Sequence, residues 1–329
     1  MLKDAILATV VYYDVFDFPL TSFEAHRYLI NPKRLSHKTE AMGDISLTEI
    51  LNELDKLVES GKLFGKFGFY FLPGRSELAE LRIEREKIAA QKWRRLRRLA
   101  WWLQMSPWVR GIFVSGSMAL GNTTIESDFD ILVIMQAGRL YAGRLLLSAL
   151  TSLMRSRRTR YQQIAPDKFC FNHFITTDHL TIDHPSLYNA QTYVHLVPLM
   201  IDRQLAASFF AANLWINKYV YNFAPRLETV HREIKISRIL KFKARVIEWL
   251  FDHTLGNQFE KLARRYQQRR INDNPATHQT GGRVVATDTE LEFHPRSFER
   301  IVLDRYNALT RRFKFSDNVE PDSGLTGNK

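Results

Sequence analysis

The sequence predicts an α+β fold in three parts: a small helical module closed by a hairpin, a compact mixed sheet, and a helical C-terminal region. Three observations carry that expectation. Through the first 60 positions apolar residues recur at helical spacing behind good N-capping residues. Between about 108 and 176, short apolar β-type runs alternate with helical runs, the order of a mixed sheet. Beyond about 185 the periodicity is helical again.

At 329 residues the chain has room for two or three compact units, and its 45% hydrophobic and 25% charged residues are those of an ordinary soluble protein. A single cysteine, Cys170, excludes an internal disulfide and a cysteine-based zinc site, so a reducing cytoplasm is expected. No uncharged apolar stretch reaches the roughly 18 residues that a bilayer span needs. The opening "MLKDAILATVVYYDVFDFP" carries acids where a signal peptide would stay apolar, and lacks a small-residue cleavage site. The net charge of +12 suits nucleic acid, nucleotides or another polyanion as partner. It is concentrated in "KWRRLRR" (92–98), "RSRRTR" (155–160) and "KLARRYQQRR" (261–270). Each run taken alone reads more plainly as a solvated helix face.

Residues 1–75 are expected to form the first module. "LKDAILATVVYY" has helical spacing and Pro19 lies beyond its end; Thr21 and Glu24 then supply a capping box for a second helix. Ser46 and Glu49 do the same for a third, which Gly61 ends. "KLFGKFGFYFLPG" holds two short β-type runs around Gly65 and Gly68, a tight hairpin. Three helices followed by a hairpin is the layout of a winged helix. Such a module can place its third helix in a DNA major groove. That helix carries Glu49, Glu53, Asp55 and Glu59 against Lys56, so packing or protein contact is the plainer role.

Residues 76–107 read as a connector helix with Trp101 and Trp102 near its end, where core or interface packing outweighs base stacking. The sheet domain follows over 108–185: "VRGIFVSGS" as a strand, "MALGN" as a short helix, "FDILVIM" as a strand, "RLYAGRLLLSALTSLMRS" as an apolar helix and "KFCFNHFIT" as a third strand. Residues 186–314 are expected to be helical, interrupted by a mobile polar loop at 272–290, and the tail 315–329 to be disordered.

The chemistry concentrates between Val114 and Met135. Gly116 follows a strand, and its bare backbone lets amide groups approach a phosphate. Ser117 then falls at a helix start, where free N–H groups and a hydroxyl bind anionic oxygens. Asp128 and Asp130, two apart on the next strand, point to one face, and a divalent cation relieves their repulsion. The plainer alternative is an ordinary turn with an exposed edge aspartate. Yet "DFDILVIM" is apolar enough for an interior strand, where an inward carboxylate needs a partner.

"VSGS", ten residues, then "DFDI" resembles the signature of the nucleotidyltransferase superfamily that includes DNA polymerase beta and kanamycin nucleotidyltransferase, and "GSMALG" looks like the form found in its small bacterial members. The resemblance spans roughly residues 108–180. It implies that Gly116 and Ser117 hold a nucleoside triphosphate, that Asp128 and Asp130 bind Mg²⁺ or Mn²⁺, and that a nucleotidyl group moves to an acceptor: nucleic acid, protein or small molecule. It also implies a third carboxylate on a later strand. In "DKFCFNHFIT" that position falls near Cys170 or Asn172, neither of them acidic; Asp183 is the nearest substitute, with Asp167 and Asp178 behind it. An alternative function is therefore a weakened nucleotidyltransferase fold serving as nucleotide sensor or nucleic-acid-binding regulator. His173, His179 and His184 match no zinc spacing, and Arg139 and Arg144 could reach a triphosphate but suit a solvated surface better.

Overall fold

A computed structural model describes residues 1–35, 43–159, 162–227, 232–295 and 297–313. The tail expected to be disordered, 315–329, lies outside these residues, as does Arg160 of the second basic run.

The chain opens with helix α1 (Leu2–Asp14), whose residues Ala5 to Asp14 are all buried. "AILATVVYY" is apolar on every side, and such a helix is stable only when surrounded. Strand β1 (Leu20–Thr21) leads into α2 (Ser22–Arg27), and α3 (Leu47–Glu59) follows. Both helices carry the capping boxes the sequence predicts, Thr21 with Glu24 and Ser46 with Glu49. The hairpin is β2 (Phe64–Lys66) and β3 (Phe69–Phe71), turned at Phe67 and Gly68, both with positive φ. β3 pairs antiparallel with β1 as well as β2, so among the described residues the first module holds three α-helices beside a three-stranded sheet.

Helix α4 (Leu78–Ala100) runs into a 3-10 turn at Trp101–Met105. Then come β4 (Val109–Val114), α5 (Gly116–Leu120), β5 (Phe129–Met135), α6 (Leu140–Leu153), β6 (Phe169–Thr176), α7 (Leu187–Tyr193), β7 (Val197–Ile201) and α8 (Arg203–Ala212). The chain ends through α9 (Arg238–Leu250), α10 (His253–Asn272), β8 (Arg283–Ala286), β9 (Glu290–His294) and α11 (Glu299–Arg312). Six strands form one mixed sheet in the order β7-β4-β5-β6-β9-β8. β5 and β6 are parallel, and every other neighbouring pair is antiparallel.

Period-two alternation sends the side chains of this sheet to two cores. Phe129, Ile131 and Val133 of β5 pack with Trp93 and Leu96 of α4, Leu147 of α6 and Ala263 of α10. Leu132 and Ile134 face the other way, into a core with α1, α3, α7, α8 and α11. Helices therefore cover both faces.

Three sequence expectations change. The first module was expected to stand alone over 1–75, but α1 shares the core of the sheet's second face: Tyr12 meets Tyr306 at 5.8 Å between ring centroids, and Tyr13 Oη lies 2.6 Å from Gln191 Oε1 and from His195 Nε2. The sheet was expected to end by 185, with only helices beyond; β7, β8 and β9 all lie past that point. The loop expected at 272–290 contains a 3-10 turn at Pro275–His278 and strand β8. Gly281 and Gly282 form the approach to that strand, and a Cβ on Gly282 would fall 2.3 Å from the Pro295 carbonyl oxygen. The glycines that read as loop are what lets two backbones close on each other.

Candidate functional site

The site gathers where β4 ends and β5 begins. The main chain of Ser115 donates to the Asp130 carbonyl at 2.9 Å, tying the turn to the strand beside it. Gly116 takes φ +62° there, and a Cβ on it would sit 2.2 Å from Asp130 Oδ2. No side chain fits: the carboxylate is pressed against the turn backbone. Gly116 and Ser117 begin α5, whose leading N–H groups have no acceptor within the helix. Gly121, at φ +80°, closes α5 in the left-handed conformation. Asn122, just after it, bonds the Phe16 carbonyl and accepts from Arg85, so the loop of the site is fastened to the first module.

On β5, Phe129 is buried in the sheet's first core, while Asp128 and Asp130 share the other side. Both are half-buried and, with Cys170, bring ligand atoms within 4.8 Å of one another. Arg158 Nη1 donates to Asp128 Oδ2 at 2.5 Å, and Asn172 Nδ2 donates to Asp130 Oδ1 at 2.9 Å. Burial, reinforced by the nearby Asp128 charge, pushes the Asp130 carboxyl up from its ordinary range to about 7. The Cys170 thiol is pushed up further, by burial and then by the Asp130 charge, so it stays protonated and is a poor ligand for a hard cation.

The parallel register sets Asp130 beside Cys170. The resemblance implies a third carboxylate on this later strand, and Cys170 and Asn172 stand there beside the pair. Asp183 does not fill the gap: it bonds His179 and groups with Glu290 across β6. Asp167 is held by Lys92 and Arg95 of α4, each at 2.8 Å. Among the described residues, then, no third carboxylate joins the pair.

Other predicted residues find structural work elsewhere. Arg139 bonds Asn257 of α10. Arg144 bonds Gln267 at 2.5 Å and lies 4.5 Å over the Phe293 ring, on the face away from the aspartates. Trp101 and Trp102 pack edge to face and line a cavity of about 340 Å³ with Arg97, Arg98, Ile234 and Lys235. Arg158 was part of a basic run in the sequence; only the pairing of β6 with the bridge at Arg157 reveals that it returns to Asp128.

The donor set fits a cation. Two carboxylates on one strand side are hard oxygen ligands, the Asn172 amide stands beside them with its nitrogen on Asp130, and the N–H groups of the adjoining turn suit an anion next to the ion. Residues 101–177 match the nucleotidyltransferase domain family, which supports that superfamily for the segment holding Gly116, Ser117, Asp128 and Asp130. Domains of this kind typically use a divalent metal. Comparison with curated proteins and with solved structures finds no match. Among the described residues, no helix is long and apolar enough to cross a membrane.

Proposed function

We propose that this chain binds a nucleoside triphosphate at Gly116 and Ser117, with Mg²⁺ or Mn²⁺ held by Asp128 and Asp130, and transfers its nucleotidyl group to an acceptor. The observation that carries this reading is the missing Cβ of Gly116. The turn lies so close to Asp130 that its backbone and the Asp130 carboxylate leave no room for a Cβ, which supports phosphate and cation meeting there. The amides of Gly116, Ser117 and Met118 and the Ser117 hydroxyl would hold the phosphates; Asn122 and Arg85 keep their loop in place. When bound, the cation supplies charge neutralisation and in-line alignment for attack at the α-phosphorus. Asp130 must lose its proton to receive it, and Arg158 must share or release Asp128.

A second reading is a nucleotide sensor, favoured by Cys170 and Asn172. Neither can accept the acceptor's proton at neutral pH: one is a protonated thiol, the other an amide. The three helices and three-stranded sheet support a winged-helix reading of the first module. Its shared core and acidic third helix support packing over DNA reading.

Labelled triphosphates incubated with the full chain, Mn²⁺ or Mg²⁺ and cell extract separate the two readings. Transfer of label that falls at least about a thousandfold in Asp128→Asn/Asp130→Asn supports the enzyme. Intact triphosphate binding with no transfer to anything supports the sensor.

A further inference from the structure

On the far side of β6 lies a second group of metal-type ligands. β9 reads Glu290-Leu291-Glu292, and period two puts both glutamates on one side with Leu291 in the opposite core. His173 is the direct cross-strand partner of Glu292, so its ring joins them. His173, Glu290 and Glu292 each offer a ligand atom within 4.8 Å of the others. Their exposures are 3%, 4% and 3%.

Ordinary pairing leaves this group incomplete. His173 Nε2 bonds Glu290 Oε1 at 2.9 Å. Glu292 has charge partners but no hydrogen bond from them: the buried Arg283 guanidinium and the His294 ring stand 3.7 Å from its Oε1, an ion-pair distance beyond hydrogen-bond reach. Its Oε2 is buried with no hydrogen-bond partner among the described residues. A buried carboxylate oxygen without a donor is costly, and a cation is the usual remedy. The His173 ring is already oriented, with Tyr193 Oη 3.1 Å from Nδ1. In this pairing Nε2–H donates to Glu290 and Nδ1 accepts from Tyr193. An ion that displaces the Nε2 proton would be bound by that nitrogen, with the other tautomer's Nδ1–H turned to Tyr193 Oη as the outer support that metal-bound histidines commonly have.

We infer that His173, Glu290 and Glu292 form a second cation site, binding a first-row divalent ion such as Zn²⁺ or Mn²⁺ that clamps β9 to β6. One imidazole with two carboxylates suits those ions better than Mg²⁺, which prefers oxygen alone. Full burial makes the ion resident: it enters as the sheet closes and leaves only when the sheet opens.

The test isolates this cluster from the aspartate pair. In the full-length Asp128→Asn/Asp130→Asn chain, refolded in the presence of Zn²⁺ (or of Mn²⁺ for the second measurement) and then desalted, metal analysis should find about one ion per chain. Mn²⁺ in the same variant should show ¹⁴N coupling by pulsed electron paramagnetic resonance, because only a histidine supplies that nitrogen. Adding Glu292→Gln should remove the retained ion, and adding His173→Gln should remove the coupling. Should either further variant fail to fold, the coupling in the folded double variant decides. Three results overturn the proposal: no retained Zn²⁺, bound Mn²⁺ without nitrogen coupling, or coupling that survives His173→Gln.

Discussion

Strand β6 separates two acidic groups built on the same pattern. On one side β5 offers Asp128-Phe129-Asp130; on the other, β9 offers Glu290-Leu291-Glu292. Each is a pair of carboxylates two residues apart, and β6 supplies the third member, Cys170 to the aspartates and His173 to the glutamates. The difference lies in surroundings. The aspartates sit at a strand beginning, beside a turn that only glycine can make, with Arg158 as a partly exposed counter-charge. The glutamates sit inside the core. Position along the strand, more than residue type, decides whether such a pair can exchange ligands with solvent. The open pair suits a substrate-borne cation and the closed pair a permanent one.

The comparison breaks most sharply at Gly116. Gly116→Ala adds a side chain at positive φ and drives it into Asp130. The strain is about 1–3 kcal/mol, and triphosphate binding measured by calorimetry should fall about a hundredfold. Zn²⁺ retention at the buried cluster should not change. Cys170→Asp sharpens the contrast from the other direction by restoring a third carboxylate beside Asp130. Mn²⁺ affinity at the open site should then rise at least about tenfold, with faster label transfer. Slower transfer with tighter Mn²⁺ binding would mean that the thiol position has a role of its own.

Acidity gives a third separation. Asp130 binds its proton more tightly in the folded chain than in the unfolded one, because burial and Asp128 raise its pKa to about 7. Stability of the metal-free chain should therefore fall as pH rises from the ordinary aspartate range towards 7, then level off. Asp130→Asn should flatten that slope in thermal melts. Cation affinity at this site runs the opposite way, rising by up to about tenfold per pH unit below 7 as the ion displaces the proton. The smallest effect belongs to Arg158→Gln. Freeing Asp128 from its ion pair should strengthen Mn²⁺ binding a few-fold, a partly exposed guanidinium being a modest competitor.

That the turn and the aspartate pair lie side by side was legible in sequence because the parts are local: a glycine, a serine and two aspartates within fifteen residues. Its completion was not. Arg158 lay in a basic run that suited a solvated face, and no local signal says that it returns to Asp128 across the parallel pair β5 and β6. The buried cluster was hidden differently. "ELEF" alternates charge with apolar residues as an edge strand does, and only pairing with β6 turns Glu290 and Glu292 inward. The same blindness made a module of residues 1–75. Periodicity found α1, yet its apolar character on all sides was the one hint that a partner from far along the chain must cover it.

That partner is α11, whose Tyr306 meets Tyr12. Between the synthesis of Asp14 and that of Glu299, a ribosome moving at roughly 5–20 residues per second takes about 15–60 s. Through that interval an apolar helix leaves the exit tunnel with part of its cover not yet made. A translation product lacking α11 would leave uncovered the part of α1 that Tyr306 packs against.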